Sequence, residues 1–261
     1  AFLTGRYAAR QEGGHGGILA TSFFDGGYTH VHAMSNAFML AGGQVMHNYV
    51  SHYKKEEFKT DTLTAFIKNN PDTRKMLTLL SGDMARLFYE KMLPLQQEQK
   101  LQWYVSPMMF DCTPGDFAEP KPAAPDMCGY TNWIPGLEHE TNQQFIQYFK
   151  TEHGKEANLF SMQGWESALL VMRYGKIRQD AAGTEAAIDL LKSEKISSPR
   201  GVLFLNEQRH IIGPAHFATS TGNLQVSITD TITDVQPVWL EMCAQIPTDA
   251  VSAWRNTYLC I

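Results

Sequence analysis

Hydrophobic positions change their spacing several times along the chain, and each change marks an element. Ile18 to Ser22 is a short apolar run, which predicts a buried strand, and the Gly13 to Gly17 stretch before it breaks the amphipathic opening of Phe2, Leu3 and Tyr7. After a turn at Asp25-Gly26-Gly27, Val31, Met34, Phe38 and Ala41 recur at steps of three and four. They form one face of a helix that Gly42-Gly43 ends. The unit then repeats as a strand over Gln44 to Tyr49, a helix from Asp61 with Leu63, Phe66 and Ile67 inward, a strand over Met76 to Leu80, a helix from Asp83 with Met84, Leu87 and Phe88 inward, and a strand over Leu101 to Val105. Strands that alternate with single helices need crossover connections, and these give a parallel sheet covered on both faces. The expectation is a doubly wound α/β lobe. Ligands bind such sheets at the carboxyl ends of the strands, which singles out Phe23 to Tyr28, Ser81 to Asp83 and Ser106 to Asp111.

Past a proline-rich loop the texture changes. Gly129 to Pro135 reads as one extended segment, and Leu137 to Lys176 then holds two helices with no strand between them. Phe145, Ile146 and Phe149 mark the inner face of the first, and Trp165, Leu169 and Met172 that of the second. A shorter helix covers Thr184 to Glu194, and Val202 to Leu205, His216 to Thr219 and Leu224 to Ile228 read as antiparallel strands. A tail with Val251, Trp254 and Tyr258 reads as an amphipathic helix. Three helices thus carry apolar faces without a sheet in this sequence to receive them, and the second lobe is expected to be incomplete. The division that follows is 13–135 with 196–230 as a parallel α/β lobe, 1–12 with 136–195 as the helical part of the other lobe, and 231–261 as a tail packing on both.

Composition narrows the function classes. The net charge of -5 is spread along the chain and no run of Lys or Arg is dense enough to neutralise a phosphate backbone, so nucleic acid is not expected as a partner. The four cysteines fall into two local pairs, Cys112 with Cys128 and Cys243 with Cys260. The first pair brackets a loop with Pro114, Pro120, Pro122 and Pro125, which suits a disulfide staple, while four cysteines permit three connectivities and four reduced thiols are the alternative. His30 and His32 lie two apart in a predicted helix, where side chains diverge by about 200°, so they do not converge on a metal. The glycines at 13–17 precede their strand, the wrong order for a phosphate loop, and no nucleophile elbow, zinc-protease helix or Walker loop is present. No catalytic residue, cofactor or metal site is expected. Asp83, at a strand-to-helix junction, reads first as a helix N-cap and second as a pocket residue.

In order along the chain, Ile18 to Tyr28, Gly43-Gln44-Val45 through Asp61-Thr62-Leu63, Gln143 to Phe149, Gly164 to Ala168 and Ser198-Pro199-Arg200-Gly201 with Phe204 resemble landmarks of the leucine-isoleucine-valine-binding proteins and related substrate-binding components of ABC transporters. The resemblance implies a type I periplasmic-binding fold. It implies a solute-binding protein, not an enzyme, that captures a small molecule between two lobes and delivers it to an ABC permease; a ligand sensor of the same fold is the alternative, and an α/β enzyme the third reading. The location it implies is periplasmic or extracellular, free or held by a lipid anchor on a segment that this sequence does not contain. It also implies upstream residues that would complete the helical lobe. Carried over, Tyr28 corresponds to the tyrosine that faces ligand, while Ser81 to Asp83 and Pro107-Met108-Met109 correspond to the other pocket-lining strand ends. Tyr28, Ser81, Asp83, Met108 and Met109 are therefore the expected ligand-binding residues. Relatives specific for α-amino acids carry an acid where this chain has Met108. Without that charge-assisted bond, worth about 1.5–3 kcal/mol, the expected ligand is amino-acid-like or more apolar, with Asp83 or Asp111 as the alternative source of an acid.

Overall fold

The computed structural model describes residues 1–23, 25, 29–52, 54–110, 126–221, 225–233 and 235. They fall into two compact units. The first comprises residues 1–131 and 217–227, and the second residues 132–216 and 228–235.

The first unit alternates helix and strand from its start: α1 (Phe2–Arg10), β1 (Gly16–Ser22), α2 (Thr29–Leu40), β2 (Gln44–Ser51), α3 (Asp61–Asn69), β3 (Lys75–Leu79), α4 (Gly82–Gln99), β4 (Gln102–Val105), the single turn α5 (Pro107–Phe110) and β5 (Met127–Thr131). Pairing is parallel between β1 and β2, β1 and β3, β3 and β4, and β4 and β5, as single-helix crossovers require. With β9 (Ala215–Thr221) and β10 (Gln225–Ile232) the strands form one seven-stranded sheet in the order β10-β9-β5-β4-β3-β1-β2. β9 and β10 each run from one unit into the other.

A central strand between covered faces buries both sets of side chains, and β1 is buried from Gly17 to Ser22. Leu19, Leu77 and Tyr104 meet Val31, Met34 and Phe38 of α2 and Ala8 of α1. On the other face Trp103 packs against Phe88 and Tyr89 of α4. The grouping of residues 1–12 with the helices of the other lobe is corrected here: α1 belongs to the first unit, and residues 132–135 and 196–216 belong to the second. Gly5 explains the placement of α1, because a Cβ there would stand 2.1 Å from the Met34 carbonyl oxygen, so only glycine lets α1 and α2 approach backbone to backbone. Lys75, buried at the start of β3, donates from Nζ to the Gln11 carbonyl at 2.5 Å, placing its charge at the electronegative end of α1.

The second unit contains α6 (Glu140–His153), α7 (Leu159–Asp180) and α8 (Thr184–Lys192), with a three-stranded antiparallel sheet of β6 (Ile196–Ser198), β7 (Gly201–Leu205) and β8 (Ile211–Ile212). Asn158 and Ser161 form a capping box that starts α7. Asn142 is fully buried, accepting from Trp133 Nε1 and donating to the carbonyls of Pro135 and Leu137, so it fixes the segment that leads into α6. A buried ion pair joins Glu166 of α7 to Arg200 at 2.8 Å, and the Ser198 hydroxyl also donates to Glu166. Of the six side chains expected on the inner helix faces, Phe145 is buried, Ile146, Phe149, Trp165 and Leu169 are half-buried, and Met172 is 59% exposed.

Candidate functional site

Because β1, β3, β4 and β5 are all parallel, their carboxyl ends lie on one edge of the first unit. Ser22 ends β1, Leu80 and Ser81 follow β3, and Ser106 follows β4. One carboxylate ties two of these ends together. Asp25 is 3% exposed, and its Oδ2 accepts from the Ser22 hydroxyl at 2.7 Å and from the Ser81 amide at 3.0 Å, while its Oδ1 accepts from the Ser81 hydroxyl at 2.6 Å. The Asp25 amide in turn donates to Ser22 Oγ at 2.9 Å. A buried charge is stable when its lone pairs are matched in this way, and the result is a fixed corner three residues before Tyr28. At β4 the Ser106 amide donates to the Thr78 carbonyl at 3.0 Å, so the ends of β3 and β4 are held together as well. The Ser106 hydroxyl is buried and has no hydrogen-bond partner among the described residues.

The sequence-expected residues divide unevenly around this edge. Tyr28 lies outside the described residues, as do Asp111, Cys112, Cys243 and Cys260. Ser81 is at the edge, half-buried and bonded to Asp25. Asp83 stands in the first turn of α4, half exposed, with Lys55 Nζ at 2.5 Å. Its reading as the N-cap is corrected: Ser81 occupies that position, and its hydroxyl goes to Asp25 instead of to the helix. Asp83 still favours the helix start through its charge. Met108 is half-buried on α5. Met109 is 0% exposed, with the Tyr89 hydroxyl donating to its carbonyl, so it is a core residue and not part of the free surface of the edge. The sequence marks Asp25 only as part of the Phe23 to Tyr28 segment and its turn, and Ser22 only as the end of a strand, neither as a residue with its own role.

Cys128 carries a free thiol among the described residues, and its expected disulfide partner Cys112 lies outside them. On β5, near Tyr7 and Tyr104, burial pushes this thiol up to about 11. No group of three or more potential metal ligands occurs among the described residues, and none of their helices is long and apolar enough to cross a membrane. His30 is exposed, whereas His32 is half-buried and bonded to Asn36.

No family model and no curated protein matches the sequence. Solved structures do match. A solute-binding protein of an ABC transporter from R. palustris, in complex with benzoate, superposes with a TM-score of 0.68 at 16% identity over 89% of this chain and 62% of that one. An ABC transporter substrate-binding protein from Sphaerobacter thermophilus gives 0.71 at 14% identity, covering 88% and 63%. A leucine-, isoleucine-, valine-, threonine- and alanine-binding protein from Brucella ovis in its closed conformation gives 0.67 at 13% identity, covering 90% and 63%. The chain therefore spans less than two thirds of the length of these structures. Its mostly parallel α/β architecture is the type I periplasmic-binding fold found in ABC-transporter solute-binding proteins.

Proposed function

We propose that the chain is a solute-binding component of an ABC importer, which works outside the cytoplasm, captures a small molecule between two lobes and delivers it to a permease. The observation that carries this reading is the carboxyl edge of the first unit, where the buried Asp25 carboxylate locks the ends of β1 and β3. Ligand capture by lobe closure needs contact groups held in place before the ligand arrives, and this corner supplies such a support for Ser81 and for the start of α4 that carries Asp83. The fold is shared with binding proteins, which favours binding over catalysis.

The ligand class we infer is a small carboxylic acid with an apolar or aromatic body. Met108 brings no charge to the edge, and the Asp83 carboxylate at the start of α4 is already paired with Lys55, which weakens the case for holding an α-ammonium group. Similar structures were solved with benzoate, with 4-hydroxybenzoate and with 3,4-dihydroxybenzoic acid. Isothermal titration with benzoate, 4-hydroxybenzoate and leucine tests the reading. An aromatic acid should bind with a Kd below about 100 μM, leucine more weakly, and Tyr28→Ala should lose about tenfold or more, roughly 1.4 kcal/mol. Failure of all three at about 1 mM, or binding indifferent to Tyr28→Ala, would remove the proposal.

A further inference from the structure

β2 is the terminal strand of the seven-stranded order and, among the described residues, pairs only with β1. A strand paired on one side leaves its outward N–H and C=O groups without ladder partners. Natural edges are usually blunted by charge, proline, shortness or a bulge; β2 runs eight residues from Gln44 to Ser51 with no Lys, Arg, Asp, Glu or Pro, and its bulge lies in its first half. Its register shift falls at Met46, where Gly17 pairs with Val45 and Ile18 with His47, so the ladder is regular from His47 to Ser51. Along that stretch lies a groove of about 660 Å³. Its lining includes the consecutive residues 47–52, and a run of neighbours from both strand faces means that the backbone edge itself forms the floor.

We propose that this groove is a docking site for an extended peptide segment of a partner protein, which adds to β2 as an eighth strand. Two polar atoms on its walls support a polypeptide occupant: the Ser51 hydroxyl, on a residue 2% exposed, and His47 Nε2 are both buried without a hydrogen-bond partner among the described residues. The side-chain chemistry is mixed. Phe23, 47% exposed, and the His47 ring stacked on Phe66 at 4.4 Å give apolar surface; of the charged residues on the groove, Glu57 is offset by Lys54 at 3.8 Å, while Lys59 stands exposed with no carboxylate partner among the described residues. The fitting segment alternates apolar side chains and carries an acid near Lys59. A second copy of the chain fits less well. Tyr49 donates to the Lys59 carbonyl at 2.7 Å, which places the wall around Lys59 on one face of the sheet. Two-fold pairing of β2 edges keeps that face common to both copies, so two such walls would meet over the new ladder.

The probe is a fluorescein-labelled six-residue peptide of alternating Val and Thr with an N-terminal Glu, and its control is the same peptide N-methylated at alternate residues. Binding by anisotropy, with slowed amide exchange confined to residues 47–52, a loss of about tenfold or more on N-methylation and a weakening by Lys59→Glu, is the expected result. Absence of binding up to about 1 mM, equal binding of the N-methylated peptide, or protection elsewhere overturns the proposal. A concentration-dependent dimer that protects 47–52 in sedimentation and exchange experiments overturns it in favour of a second copy.

Discussion

Replacing Asp25 by alanine should unlock the corner on which the candidate site rests. The substitution removes the acceptor of three hydrogen bonds, from the Ser22 hydroxyl, the Ser81 amide and the Ser81 hydroxyl, at a position where Asp25 is almost fully buried. The two hydroxyls can rotate towards other acceptors, but the Ser81 amide cannot turn without moving the backbone that starts α4. Leaving a buried donor unpaired costs about 1–3 kcal/mol, and losing a bond to a charged group about 1.5–3, so the expected loss is about 3 kcal/mol. For a domain of this size that corresponds to a melting temperature lower by about 6–12 °C. Asp25→Asn keeps one acceptor oxygen and should lose about half as much. Urea denaturation followed by circular dichroism, with unchanged m-values as the check on two-state behaviour, reads the difference. A stability change of Asp25→Ala below about 0.5 kcal/mol would show that the three bonds do not hold this corner.

Other expectations follow from groups away from that edge. Glu166→Gln leaves Arg200 buried without its counter-charge and should destabilise the second unit by about 3–5 kcal/mol, whereas a joint Glu166→Gln, Arg200→Met variant should recover part of the loss; equal losses in the single and double variants would contradict this. His216 is buried with Nε2 against the Arg200 carbonyl and Nδ1 against Thr231 Oγ1, and burial holds its pKa below the usual 6.5. A carbonyl can only accept, so Nε2 carries the proton of the neutral ring and Thr231 donates to Nδ1. The folded state binds fewer protons than the unfolded state here, so the contribution of His216 is full above about pH 6.5 and declines as pH falls towards the folded pKa. Denaturation at pH 7.5 and 5 should show the decline in the wild type and a smaller one in His216→Gln; parallel behaviour would reject the assignment. Cys128, with its thiol near 11, should resist iodoacetamide at pH 8 far more than an ordinary cysteine, as mass mapping of its peptide would report. Rapid modification would contradict the burial.

Elements whose burial is one-sided or complete were legible from spacing alone. Leu63 and Ile67 of α3 are buried as their helical periodicity requires, and the apolar run at Ile18 to Ser22 is a fully buried strand. Short pieces were not legible: β5 was read as an extended segment because its pairing with β4 depends on partners far away in sequence, and β6 and β8 have three and two residues, too few to show a period. Helix ends are poorly marked by apolar spacing alone, and Lys176 as the end of the second helix falls short. α7 continues to Asp180, and α4 passes through Pro94 to Gln99. The carboxyl edge itself was placed correctly by topology, since parallel order follows from crossovers. What sequence could not separate was which residues of Pro107-Met108-Met109 face outward, because one residue of rotation on a single helical turn exchanges a core methionine for an edge methionine. The bond that makes Asp25 a lock is illegible for a related reason, as its partner Ser81 lies 56 residues away.

The central claim is that this chain receives a small molecule, and native mass spectrometry of the protein purified without refolding tests it most directly. The account predicts a bound species of small-molecule mass in one-to-one ratio, exchangeable for added benzoate in the wild type and depleted in Tyr28→Ala. A spectrum showing only the unliganded protein, unchanged after incubation with benzoate, 4-hydroxybenzoate and leucine at millimolar concentration, would contradict it.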